Sequence, residues 1–149
     1  MDANSSKQYV NEIPEKFADI KSEWLQLLMQ IGYVACGQGK PTAAVSIFEA
    51  IAAVRPNSEL PLIGLAVSLV NLGKLTAACD VLVERSAKIN PNNQLAKTVA
   101  AMIFRMVKEF QASDILIDEI IADGTDPEAV NFAKNLKNEN FIYLRSKGN

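Results

Sequence analysis

The sequence predicts an all-α protein built from antiparallel helix pairs, and three observations carry that reading. Gly39-Lys40-Pro41-Thr42-Ala43-Ala44 recurs as Gly73-Lys74-Leu75-Thr76-Ala77-Ala78, a shift of 34 residues that fits a helix-turn-helix unit stacked on copies of itself. Each copy is preceded by an apolar helix-like stretch, Trp24 to Cys36 and Leu60 to Leu72. Each is followed by a second stretch that stops at Pro56-Asn57 or Pro91-Asn92, where proline lacks the amide a helix needs. The unit reads helix, Gly-Lys turn, helix, proline stop.

Residues 1–23 are expected to form an N-terminal helical arm or cap. Tyr9, Val10, Ile13, Phe17 and Ile20 recur at helical spacing, while Pro14 argues for a break near the middle. Both a cap on the first repeat and a mobile arm fit. The main domain is expected over 24–149, with repeats at about 24–57, 58–92 and 93–125. Gly39 and Gly73 can take the left-handed conformation that ends a helix, and Lys40 and Lys74 suit the negative end of its dipole. Thr42 and Thr76 are placed to cap the helices that follow. Ala43-Ala44 and Ala77-Ala78, with Gly32 and Ala66 on the first helices, let each pair approach closely around the bulkier Phe48 and Leu82. The two prolines lie 35 residues apart, so the second unit carries one inserted residue.

The third unit is weaker. Ala100, Ala112 and Leu116 fall on the Gly32, Ala44 and Phe48 positions, but its turn, Val107-Lys108-Glu109-Phe110, has no glycine. Its second helix should end near Asp123-Gly124. Asp126-Pro127-Glu128 then reads as a helix start, a capping Asp with Pro at the first helical position. A capping helix over 126–139, running to about Asn138, and a solvated tail over 140–149 complete the expectation.

Composition bounds the function. With 149 residues, 49% hydrophobic and 21% charged, the chain fits one compact unit, and a net charge of -2 argues against a nucleic-acid backbone as partner. Cys36 and Cys79 form no CxxC pair and the sequence has no histidine, so neither a zinc site nor a Cys-His or Ser-His catalytic pair is expected. Gly37-Gln38-Gly39-Lys40-Pro41-Thr42 fails as a phosphate loop. Val34 stands where its first Gly belongs, Pro41 stands where Ser or Thr should follow Lys, and a helix, not a strand, precedes it. Acidic pairs such as Asp118-Glu119 read as solvated faces. No cofactor, no metal and no catalytic residue are expected. The first residues lack a basic region followed by an apolar run, and Leu60 to Leu72 is too short to span a bilayer, so a cytoplasmic location is expected and Asn4-Ser5-Ser6 is read as a chance glycosylation match.

At Gly32, Gly39, Ala44, Phe48 and Pro56, and again at Gly73, Ala78 and Pro91, the chain resembles the tetratricopeptide family. That resemblance covers about Trp24 to Asp123 and implies roughly three repeats forming a short right-handed solenoid. The size, the degenerate repeats and the ending Ile121-Ala122-Asp123-Gly124-Thr125-Asp126-Pro127-Glu128-Ala129-Val130 also resemble the G-type chaperones of type III secretion needle subunits. This likeness implies a cytoplasmic chaperone that keeps a needle subunit from polymerising by holding its amphipathic helix. It also implies a small helical co-chaperone, placed here against Trp24, Leu25 and Leu28.

Repeat register assigns a groove independently of that likeness. The first helix of each pair should line the concave face, with Met29, Tyr33 and Cys36, then Ile63, Val67 and Val70, then Lys97, Ala101 and Phe104. Nearly all are apolar, which suits the apolar face of an amphipathic helix. Packing between helices, or under a self-docked terminus, is the alternative use of these side chains. Other readings of the whole chain are a general adaptor or scaffold, which would self-associate as a homodimer when no partner is present, and a chaperone of translocator proteins. An enzyme has no positive support.

Overall fold

A computed structural model describes residues 20–147, with side chains described through residue 139. The expected segment from Tyr9 to Asp19 and the Asn4 acceptor lie outside the described residues. Helices are α1 (Ser22–Gly37), α2 (Pro41–Val54), α3 (Leu60–Asn71), α4 (Leu75–Ile89 in three stretches), α5 (Gln94–Met106), α6 (Phe110–Asp123) and α7 (Pro127–Lys147). No strand occurs among the described residues. The chain divides into two compact units between Gly73 and Lys74, inside the second repeat. Sequence composition had favoured a single unit.

In the first unit, α1 packs on α2, α2 on α3, and α1 on α3. The close approach has one filler, the ring of Phe48, which is fully buried. A Cβ added to Gly32 would stand 2.7 Å from Phe48 Cζ, and one added to Gly64 would also collide with the ring. Two glycines on neighbouring first helices therefore make the socket for one aromatic. Gly32 was readable from the repeat, whereas Gly64 has no counterpart at the same repeat position and was not.

In the second unit, α4 packs on α5, α5 on α6, and both α5 and α6 on α7. The inserted residue is visible here. Helix α4 is α-helical over Leu75–Asp80, widens to a π-helix over Val81–Ser86 and returns to α over Ala87–Ile89. The Ala87 amide reaches back five residues to the Leu82 carbonyl. One extra residue in a helix is accommodated in this way, so the 35-residue proline offset becomes a π turn instead of a longer loop. Ser113 ties α6 to α5 by donating from Oγ to the Ala101 carbonyl at 2.8 Å.

The turns follow their glycines. Gly39 and Gly73 both have φ +73. The Lys40 amide bonds the Ala35 carbonyl at 2.8 Å, closing the end of α1. In the third repeat Lys108 takes the same left-handed conformation with φ 65, and the Glu109 amide bonds the Phe104 carbonyl at 2.8 Å. A side chain in that region is strained by about 1–2 kcal/mol. Arg105 holds the turn from α5, with Nη2 2.6 Å from Asp114 Oδ1, Nη1 on the Phe110 carbonyl and the guanidinium over the Phe110 ring.

Of three sequence expectations about helix ends, two change and one holds. Thr42 and Thr76 do not cap, because the helices begin at Pro41 and Leu75, two residues earlier than a Thr cap requires, with Lys40 and Lys74 at the cap positions and no capping side chain. Asp126 does cap, its Oδ1 accepting from the Glu128 and Ala129 amides at 3.0 and 3.2 Å. Helix α7 continues to Lys147 instead of giving way to a tail near Asn138, since no glycine or proline interrupts the sequence before Gly148.

Candidate partner-binding surface

In the first unit the expected groove residues separate into two sets. Tyr33 is exposed, and Met29, Val67 and Val70 are half-buried, so four apolar side chains from α1 and α3 are accessible. Cys36 and Ile63 are buried packing residues. Cys36 accepts from Asn71 Nδ2 at 2.8 Å, a tie between the ends of α1 and α3. Ile63 lies one turn before Val67 on α3 but is turned into the core. Tyr33 stacks edge-on against Phe48 with ring centroids 4.9 Å apart. Burial and then the neighbouring Cys36 push its hydroxyl above the usual tyrosine range, so it stays neutral and acts as an apolar plate with one polar tip.

The same surface continues toward the start of α1 and α3. A cavity of about 230 Å³ is lined by Gln26 and Met29 of α1, Leu60 and Pro61 of α3, and Arg55 and Ser58 of the connection. Leu60 is exposed and was missed. It sits one turn before Ile63 on α3.

In the second unit most of the expected groove residues are engaged within the unit itself. Ala101 is buried in a cluster with Ile117 and Ile120 of α6 and Ala129 and Ala133 of α7, because the C-terminal helix covers it. Lys97 Nζ lies 2.9 Å from Glu119 Oε2 on α6, so its ammonium is engaged within the unit. Only Phe104, half-buried, remains of the three expected positions.

The other surface read from sequence also divides. Trp24 and Leu28 are exposed, whereas Leu25 is buried. Leu27, Ile31 and Val34 are exposed beside them, which the sequence reading did not single out.

No group of metal-ligating side chains gathers among the described residues. Cys36 and Cys79 are free thiols, and burial followed by the Asp80 charge pushes the Cys79 thiol up, away from the reactive thiolate. No helix among the described residues is long and apolar enough to cross a membrane.

No protein-family model matches the chain. No curated protein matches it. Solved structures do. The type III secretion translocator chaperone SycD of Yersinia enterocolitica aligns with TM-score 0.70 and 18% identity, over 82% of this chain and 91% of its own. PcrH, solved in complex with the chaperone binding region of PopB, aligns with TM-score 0.69 and 18% identity, over 80% of this chain and 96% of its own. The TPR2AB domain of yeast Sti1, in a pHSP90 complex, aligns with TM-score 0.74 and 16% identity, over 91% of this chain and 51% of its own. At these identities the likeness establishes the fold, which is tetratricopeptide-like.

Proposed function

We propose that the protein is a non-catalytic, cytoplasmic holding chaperone of a type III secretion system, and that it binds an apolar segment of an export substrate. The observation that carries this reading is the open apolar strip along α1 and α3, with Met29, Tyr33, Val67 and Val70 accessible and Leu60 exposed at its end. A strip of this kind offers apolar anchors at helical spacing and no cluster of cations, so it favours a greasy segment over a terminal carboxylate. Neighbours of the same fold include a type III secretion translocator chaperone and a protein solved in complex with the chaperone binding region of PopB.

Needle-subunit specificity, which the sequence likeness implied, gains no support from those neighbours, and a translocator-type client is the better reading. A general adaptor role rests on the fold alone. A small helical co-chaperone would have to use Trp24 and Leu28 without Leu25. The test is co-purification from the native cytoplasm with identification of the bound protein. Recovery of a secreted translocator-type protein, lost in Val67→Glu, is the expected outcome. Recovery of a needle subunit would restore the narrower reading, and recovery of unrelated soluble proteins would favour the adaptor.

A further inference from the structure

The outer face of α1 is bare at positions that are covered one repeat later. Leu27, Leu28, Ile31 and Val34 are 45%, 40%, 45% and 56% exposed. Their counterparts 34 residues on, Pro61, Leu62, Leu65 and Ser68, are at most 3% exposed. The physical difference is the preceding helix. Helix α3 has α2 packed against it, while no helix among the described residues precedes α1.

Next to this face lies a cavity of about 550 Å³ between α1 and the outer side of α2, lined almost wholly by apolar groups including Leu28, Ile47, Ala50 and Val54. The exposed Ala50 and Ala53 on α2 leave room for a third helix to come close. Ile20 also lines the cavity. Arg55 Nη2 donates to the Ile20 carbonyl at 2.6 Å, which fixes where the chain leaves toward its N-terminus. The chain therefore departs from the mouth of the cavity.

We propose that residues 9–20 occupy this face in cis, as the second helix of a preceding repeat would. Tyr9, Val10, Ile13, Phe17 and Ile20 recur at helical spacing, with Glu12, Glu15 and Asp19 between them. Length fits as well: twelve helical residues reach about 18 Å and the stripe from Trp24 to Val34 spans about 15 Å. Phe17 and Ile13 would fill the cavity and Tyr9 would reach the level of Ile31. Pro14 removes one amide and kinks the helix at the Val10 carbonyl, which shortens its reach slightly but leaves the apolar residues on one side.

Trp24, the single tryptophan, lies on the face and reports its cover. The experiment is collisional quenching of its fluorescence in the full chain, in Phe17→Asp and in Ile31→Asp, each checked for helicity and over about a hundredfold range of concentration. Several-fold weaker quenching in the wild type than in both variants, at every concentration, is expected. Equal quenching in all three overturns the proposal, and so does shielding that appears only when a co-purified partner is added. Shielding that grows with concentration would assign the face to a second copy and overturn it too. Phe17→Asp alters a residue outside the described helices, so it separates loss of cover from loss of folding.

Discussion

The two units use one repeat design to different ends. The first closes its helices around Phe48, seated against Gly32 and Gly64, and leaves an apolar strip of α1 and α3 accessible. The second spends the corresponding surface on itself: α7 covers Ala101, Lys97 meets Glu119, and Lys137 Nζ lies 2.7 Å from Asp118 Oδ1 on α6. A helix register says which face a residue is on. It does not say whether a later helix covers that face.

The largest effect expected is for Phe48→Ala, which empties the socket made by Gly32 and Gly64 and should cost about 3–5 kcal/mol. Hydrogen exchange read helix by helix then sharpens the comparison. Protection should fall in α1–α3 and persist in α5–α7; equal loss throughout would mean that the two units unfold as one.

A smaller effect is expected for Gly32→Ala. The added methyl meets the Phe48 ring at 2.7 Å, and overpacking of this kind costs about 1–3 kcal/mol, partly offset by the better helix propensity of alanine. Chemical denaturation measures it. A stabilised variant would show that the ring can move aside and that the socket is not tight.

The smallest effect has the opposite sign and lies in the second unit. Lys108→Gly relieves a side chain held at φ 65 and should stabilise by about 1 kcal/mol, less the greater freedom of glycine in the unfolded chain. Gly73→Ala, at the same turn position with φ +73, should destabilise. Both are read from denaturation midpoints, and a destabilised Lys108→Gly would mean that the lysine side chain contributes more than its strain.

Much of the fold was legible because it depends on local chemistry. Gly39 and Gly73 end helices for a backbone reason, Asp126-Pro127 starts one, and the 35-residue spacing announced the extra residue that α4 absorbs as a π turn. Thr42 and Thr76 were misread as caps because Pro41 and Leu75 already begin the helices. The site was less legible. Tyr33, Val67 and Val70 are accessible, whereas Cys36, Ile63 and Ala101 are buried by tertiary packing that no local pattern encodes. Gly64 escaped notice for the same reason, since its need to be small comes from a ring on another helix.

The central claim is that the apolar strip of the first unit holds the partner. It is tested most directly by the affinity of the co-purified client segment for the wild type and for Val67→Glu, with thermal unfolding of both recorded alongside. A carboxylate in that strip should weaken binding by at least about tenfold, or about 1.4 kcal/mol, while the variant stays folded. Unchanged affinity in a folded Val67→Glu would contradict the account and place the partner elsewhere on the molecule.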